Sequence, residues 1–128
     1  MISLSVEDIE KNKLEIARSF ARKNDVVLVL KGAPTMIAAP NGDVFVNPTG
    51  NAGMATAGSG DVLAGIIAAL VGQHNVPVQA AINGVYVHGR AGDIARDELG
   101  EMGMLASDFM DRIPFVLKKM QDKNNSVR

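Results

Sequence analysis

Residues 47–61 read Asn-Pro-Thr-Gly-Asn-Ala-Gly-Met-Ala-Thr-Ala-Gly-Ser-Gly-Asp and are followed at once by ten apolar or small residues, 62–71. Four glycines within this stretch (Gly50, Gly53, Gly58, Gly60) predict a loop without regular structure whose backbone can take positive φ and approach a ligand closely. The apolar run behind it is too short to span a bilayer and suits a buried helix beginning at Asp61. A helix N-terminus offers unsatisfied N–H donors and the positive end of the dipole, so the junction is built for an anion. Gly58, Ser59 and Gly60 are the candidate anion hole, and Asp61 brings a carboxylate into the same place. An anion cradle beside a carboxylate base suits phosphoryl transfer to a hydroxyl group, with Asp61 taking the proton.

The rest of the chain reads as support for that junction. Ser5 can cap a first helix, with Glu7 and Asp8 in its first turn and Val6, Ile9, Ile16, Ala17 and Phe20 on one face. The helix should end at Asn24-Asp25. Residues 26–30, Val-Val-Leu-Val-Leu, suit a central strand buried on both faces, and a helix followed by such a strand predicts an α/β fold with a partial, mostly parallel sheet. Residues 36–39 and 43–46 form two further strands around a Pro40-Asn41-Gly42 hairpin turn. The helix from Asp61 is apolar all round and should be buried, with Gly65 admitting a close neighbour and Gly72 ending it. Pro77 opens a long helix that stops at Gly100, and its Ala81, Gly84, Gly89 and Gly92 predict tight helix contact. Ser107 can cap a last helical stretch kinked at Pro114, and the polar residues 121–128 should fray. The chain then forms a single partial domain, 1–128.

Composition narrows the partners. A net charge of −1 and 4% aromatics without Trp argue against a nucleic-acid surface. The absence of cysteine removes disulfides, thiolate nucleophiles and Cys-based zinc, and His74 and His88 are too few for a histidine cluster. The first residues lack a basic segment followed by an apolar one, so no signal peptide or membrane association is expected and a cytoplasmic setting is the default. His88 reads as a packing histidine, Arg90 with Asp93 as a helical ion pair, and Lys118 and Lys119 as a solvated face. Lys31 with Gly32 follows a strand end, where α/β sheets place ligands.

Three blocks carry a resemblance: Lys-Gly-Ala-Pro-Thr at 31–35, the long block that starts at Asn47 and runs through Asp61 into Val-Leu-Ala-Gly-Ile-Ile, and Gly-Val-Tyr-Val-His-Gly-Arg-Ala-Gly-Asp at 84–93. In order and spacing the sequence resembles the ADP- or ATP-dependent NAD(P)H-hydrate dehydratases of the ribokinase-like superfamily. The resemblance implies a three-layer α/β/α fold and a reaction in which a nucleotide phosphorylates the hydroxyl of hydrated NADH or NADPH, and loss of phosphate restores the cofactor. By motif position it implies nucleotide contacts from Lys31, Gly32, Ala33, Pro34, Thr35 and Gly60. It implies substrate contacts from Asp61 and Asn51, with Asp61 as the catalytic base. Mg²⁺ would accompany the phosphates of ADP or ATP, and no metal ligand is assigned. The chain resembles the C-terminal, nucleotide-binding half of the family's domain, which implies homo-oligomerisation or pairing with an N-terminal half. Gly-Ser-Gly-Asp alone would equally suit a small-molecule kinase, and a non-catalytic nucleotide-binding fragment is a further reading.

Overall fold

A computed structural model of the chain describes residues 6–126, with side chains described from residue 12 onward. The chain packs as two compact units, Met1–Asn47 and Pro48–Arg128.

In the first unit, helix α1 (Val6–Asn24) precedes strands β1 (Leu28–Leu30), β2 (Thr35–Ala38) and β3 (Val44–Asn47). Asp25 ends α1 in the left-handed region at φ 53°, and the Val26 amide reaches back to the Ala21 carbonyl at 3.1 Å, as the Asn-Asp pair predicts. Ser5 lies outside the described residues, as do the side chains of Val6, Glu7, Asp8 and Ile9. The face expected to be apolar divides differently. Ala17 and Ala21 are fully buried against Ala38, Leu28, Leu30 and Val44, whereas Ile16 and Phe20 are 59% and 50% exposed. Small side chains let the helix approach the sheet closely, and the larger ones are left on its outer flank.

The sheet differs from expectation in direction. Its order is β1-β2-β3 and both pairings are antiparallel, with Leu28 opposite Ala38 and Thr35 opposite Asn47. Residues 31–34, which join β1 to β2, are too few for the crossover of a dozen or more residues that a parallel pair requires. The buried central strand is therefore β2, where Met36, Ile37 and Ala38 are covered, and β1 is a half-buried edge. The hairpin forms where predicted. Gly42 at φ 98° follows a turn closed by its own amide on the Ala39 carbonyl at 2.9 Å, and the Asn41 side-chain oxygen accepts from the Asp43 amide at 3.0 Å.

The second unit holds a one-turn 3-10 helix (Ala52–Met54) and helices α2 (Ser59–Gly72), α3 (Pro77–Leu99), α4 (Ala106–Met110) and α5 (Ile113–Ser126). The core gathers around α3, where Val87, Ala91 and Ala95 meet Met104, Phe109 and Val116. Pro77 sits at the start of α3, and Gly100 closes it at φ 80°. The small residues on α3 admit close neighbours as expected: a Cβ on Gly84 would lie 2.6 Å from Ile67 Cγ1.

Four expectations change in this unit. Only Ser59 and Leu63 of α2 are buried, while Ala64, Gly65, Ala68, Ala69 and Val71 face outward, and nothing lies within 4 Å of a Cβ on Gly65. An all-apolar helix reports that it could be covered on every side, not that this chain covers it. Ser107 lies inside α4, whose preceding residue Leu105 donates its amide to the Asp108 carboxylate at 2.7 Å. Pro114 opens α5 rather than kinking a helix, because a first-turn proline has no intrahelical bond to lose. Gln121 onward remains helical as far as Ser126, where fraying was expected. Among the described residues no helix is long and apolar enough to cross a membrane.

Candidate functional site

The glycine loop lies on α3, and α3 is shaped to receive it. Asn51 caps the 3-10 turn by accepting from the Gly53 amide at 3.1 Å, and its side-chain NH₂ donates to Asp93 Oδ1 at 3.1 Å. The Gly50 amide donates to the other oxygen of Asp93 at 3.2 Å, and the Thr49 hydroxyl donates to the Tyr86 carbonyl at 3.3 Å. A Cβ on Gly89 would overlap Thr49 Oγ1 and lie 2.8 Å from the Thr49 carbonyl carbon; one on Gly92 would lie 2.6 Å from Met54 Cε. Asp93 is 8% exposed, with Arg90 and Arg96 at 3.7 and 4.0 Å. The helical pair read from the sequence is present, but the principal work of Asp93 is to hold the loop. Gly89, Gly92 and Asp93 follow the i, i+3, i+4 spacing of one helix face, a signal that could have disclosed this bed.

At the far end of the loop Gly58 turns at φ 84°, and α2 starts one residue later, two residues before the expected Asp61. The Asp61 and Val62 amides both donate to the Gly58 carbonyl at 3.1 Å, and the Ser59 amide donates to the Thr56 carbonyl at 3.3 Å. The Gly60 amide has no carbonyl partner among the described residues, so it is an open donor at the positive end of α2. Asp61 occupies the third helical position, is exposed, and makes no hydrogen bond or ion pair among the described residues. Gly58, Ser59, Gly60 and Asp61 thus share one turn, while Asn51 belongs to the loop that leads into it.

Ser59 is buried beside His88 of α3. The imidazole Nε2 lies 3.0 Å from the Ser59 carbonyl and 3.4 Å from its hydroxyl. A carbonyl only accepts, so Nε2 carries the proton. The imidazole also meets the Phe109 ring edge-on at 5.3 Å, which is the packing role the sequence suggested.

In the first unit, Lys31, Gly32, Ala33 and Pro34 form the exposed turn between β1 and β2, and Thr35 begins β2 half-buried. The Thr35 hydroxyl donates to the Gly32 carbonyl at 3.1 Å, and the Ala33–Pro34 peptide is cis. Gly32 keeps an ordinary φ, but a Cβ there would stand 3.3 Å from the Pro34 carbonyl oxygen. Among the described residues no three His, Cys, Asp or Glu side chains converge on a point that could hold a metal ion.

Comparison with known proteins matches residues 1–115 to the NAD(P)H-hydrate dehydratase family. A bifunctional NAD(P)H-hydrate repair enzyme Nnr from Moorella thermoacetica is 48% identical over 127 residues, which are 99% of this chain and 24% of that protein. The ADP/ATP-dependent NAD(P)H-hydrate dehydratase of Bacillus subtilis, co-crystallised with ATP and Mg²⁺, aligns with TM-score 0.82 and 38% identity over 89% of this chain and 41% of that one. A ribokinase-like superfamily protein from Enterococcus faecalis aligns with TM-score 0.68 and 34% identity, covering 87% of this chain and 38% of its own. The chain thus spans between about a quarter and about two fifths of these proteins. With residues 1–115 matching the family and its helices and sheet matching a ribokinase-like α/β fold, the chain belongs to the NAD(P)H-hydrate dehydratase family.

Proposed function

We propose that this chain supplies the phosphate cradle and the catalytic base for nucleotide-dependent dehydration of hydrated NADH or NADPH. The observation that carries the reading is the first turn of α2, where a Gly60 amide and an exposed Asp61 carboxylate, both without a partner among the described residues, stand one residue apart. Asp61 takes the proton of the hydrate hydroxyl as its oxygen bonds to the terminal phosphorus of ADP or ATP and the bridging P–O bond breaks. The Gly58–Gly60 turn stabilises negative charge on the transferring group. Loss of phosphate together with a ring proton then restores the double bond of the dihydronicotinamide.

Asn51 is proposed at the substrate end. Since its amide is already bonded to Gly53 and Asp93, its contribution is to shape the loop, with its remaining N–H available to the substrate. In the first unit, nucleotide contact is assigned to the turn of Lys31, Gly32, Ala33 and Pro34 and to Thr35. Lys31 offers an exposed cation, and the turn offers close backbone approach. Mg²⁺ would enter on the nucleotide phosphates, since the described residues present no carboxylate cage. A cytoplasmic setting and association through the exposed apolar faces belong to the same proposal.

The test is to incubate the protein with hydrated NADH and either ADP or ATP. Recovery of the reduced-nicotinamide absorbance, dependent on the nucleotide, is expected. Nucleotide consumption with a simple alcohol and no recovery from the hydrate would replace this reading with that of a small-molecule kinase.

A further inference from the structure

The buried pair of Ser59 and His88 invites a hydrolase reading, in which the imidazole activates the serine hydroxyl. The geometry opposes it. Nε2 spends its proton on the Ser59 carbonyl at 3.0 Å, and Ser59 is 5% exposed, so the nitrogen cannot accept the hydroxyl proton and no substrate can reach the oxygen.

The same bond bears on the neighbouring peptide. The carbonyl of Ser59 and the amide of Gly60 belong to one planar trans unit, in which C=O and N–H point in opposite directions. Fixing the carbonyl fixes the amide. His88 is 7% exposed, is braced by the fully buried Phe109 ring, and projects from α3 on the side opposite to the direction in which the Gly60 N–H points. Among the described residues this is the side-chain hydrogen bond made to a peptide carbonyl of that first turn.

We propose that His88 is a positioning residue. By holding the Ser59 carbonyl it aims the Gly60 amide at a phosphoryl oxygen of the nucleotide. The inference rests on the reading of the α2 turn as the phosphate cradle. It deepens that reading by explaining why an imidazole, not an aliphatic side chain, packs beneath the turn. An aliphatic residue would fill the space without adding a hydrogen bond to the carbonyl.

The experiment compares His88→Gln with His88→Asn in the full-length protein, using ATP as the probe and calorimetry as the readout, below the melting temperature of each variant. Both amides are polar and both lose the ring contact with Phe109. Only glutamine has the reach to donate where Nε2 donates. Glutamine should keep ATP affinity within about threefold of the parent, while asparagine should lose about tenfold, the worth of one oriented hydrogen bond. Equal affinity in the two variants, whether retained or lost, overturns the positioning role while leaving the cradle intact. Failure of the unmutated protein to bind ATP overturns the cradle and the inference together.

Discussion

At the scale of single residues, the glycine loop depends on atoms that are absent. Gly89 and Gly92 leave room on α3 for Thr49 and Met54, but the two sites are not equivalent. A Cβ on Gly89 would press on the Thr49 backbone at 2.8 Å, whereas one on Gly92 would meet the flexible thioether of Met54. Overpacking of this kind costs about 1–3 kcal/mol, set against a gain of about 1 kcal/mol in helix propensity. Gly89→Ala is therefore expected to lower unfolding free energy by roughly 2 kcal/mol in urea titration and Gly92→Ala by about half as much. Equal and negligible effects would mean that the loop does not rest on α3 as described. None of this was legible in the small-residue pattern alone, which predicted close contact without saying with what. Asp93 was hidden for a related reason. Its spacing from Arg90 already accounted for it as a helical pair at 3.7 Å, and its hydrogen bonds to Gly50 and Asn51 bridge more than forty positions.

At the scale of elements, punctuation was readable and coverage was not. Asp25, Pro40-Asn41-Gly42, Pro77 and Gly100 mark turns and helix ends through local backbone preference, and each stands where its chemistry requires. Strand partners and buried faces depend on distant neighbours, so the run at 26–30 gave no sign that its three-residue strand would lie at an edge. Likewise α2 looks like a core helix and exposes half its circumference. Gly65 tests which neighbours it has. In the 128-residue chain, Gly65→Ala should raise stability by about 1 kcal/mol, because alanine favours the helix and meets nothing within 4 Å. A destabilised variant would show that another surface packs closely there.

At the scale of the whole molecule, each unit carries an uncovered apolar face. In the first unit Ile16 and Phe20, with Glu15, Ser19 and Lys23, line a shallow groove on α1; in the second, Ala64, Ala68 and Val71 line the open side of α2. Surfaces of this kind favour association, and the chain spans 24% of its Moorella relative and 41% of the Bacillus dehydratase. The 128-residue chain should accordingly self-associate in sedimentation velocity, and replacing Ile16 and Phe20 together by serine should shift it toward monomer. A monomer before substitution would contradict that. Family membership, by contrast, was legible from the start, because the motif blocks are local strings that survive in order whatever the neighbouring surfaces do. The central claim is that the first turn of α2 divides its labour, with the Gly58–Gly60 backbone binding phosphate and Asp61 moving the proton. The most direct measurement is Asp61→Asn in the full-length protein, with ATP affinity and hydrate-dependent turnover read on the same sample. Turnover should fall by about 10²-fold or more, the usual worth of a positioned base, while ATP affinity stays within about threefold; undiminished turnover, or loss of ATP binding in step with activity, would contradict the account.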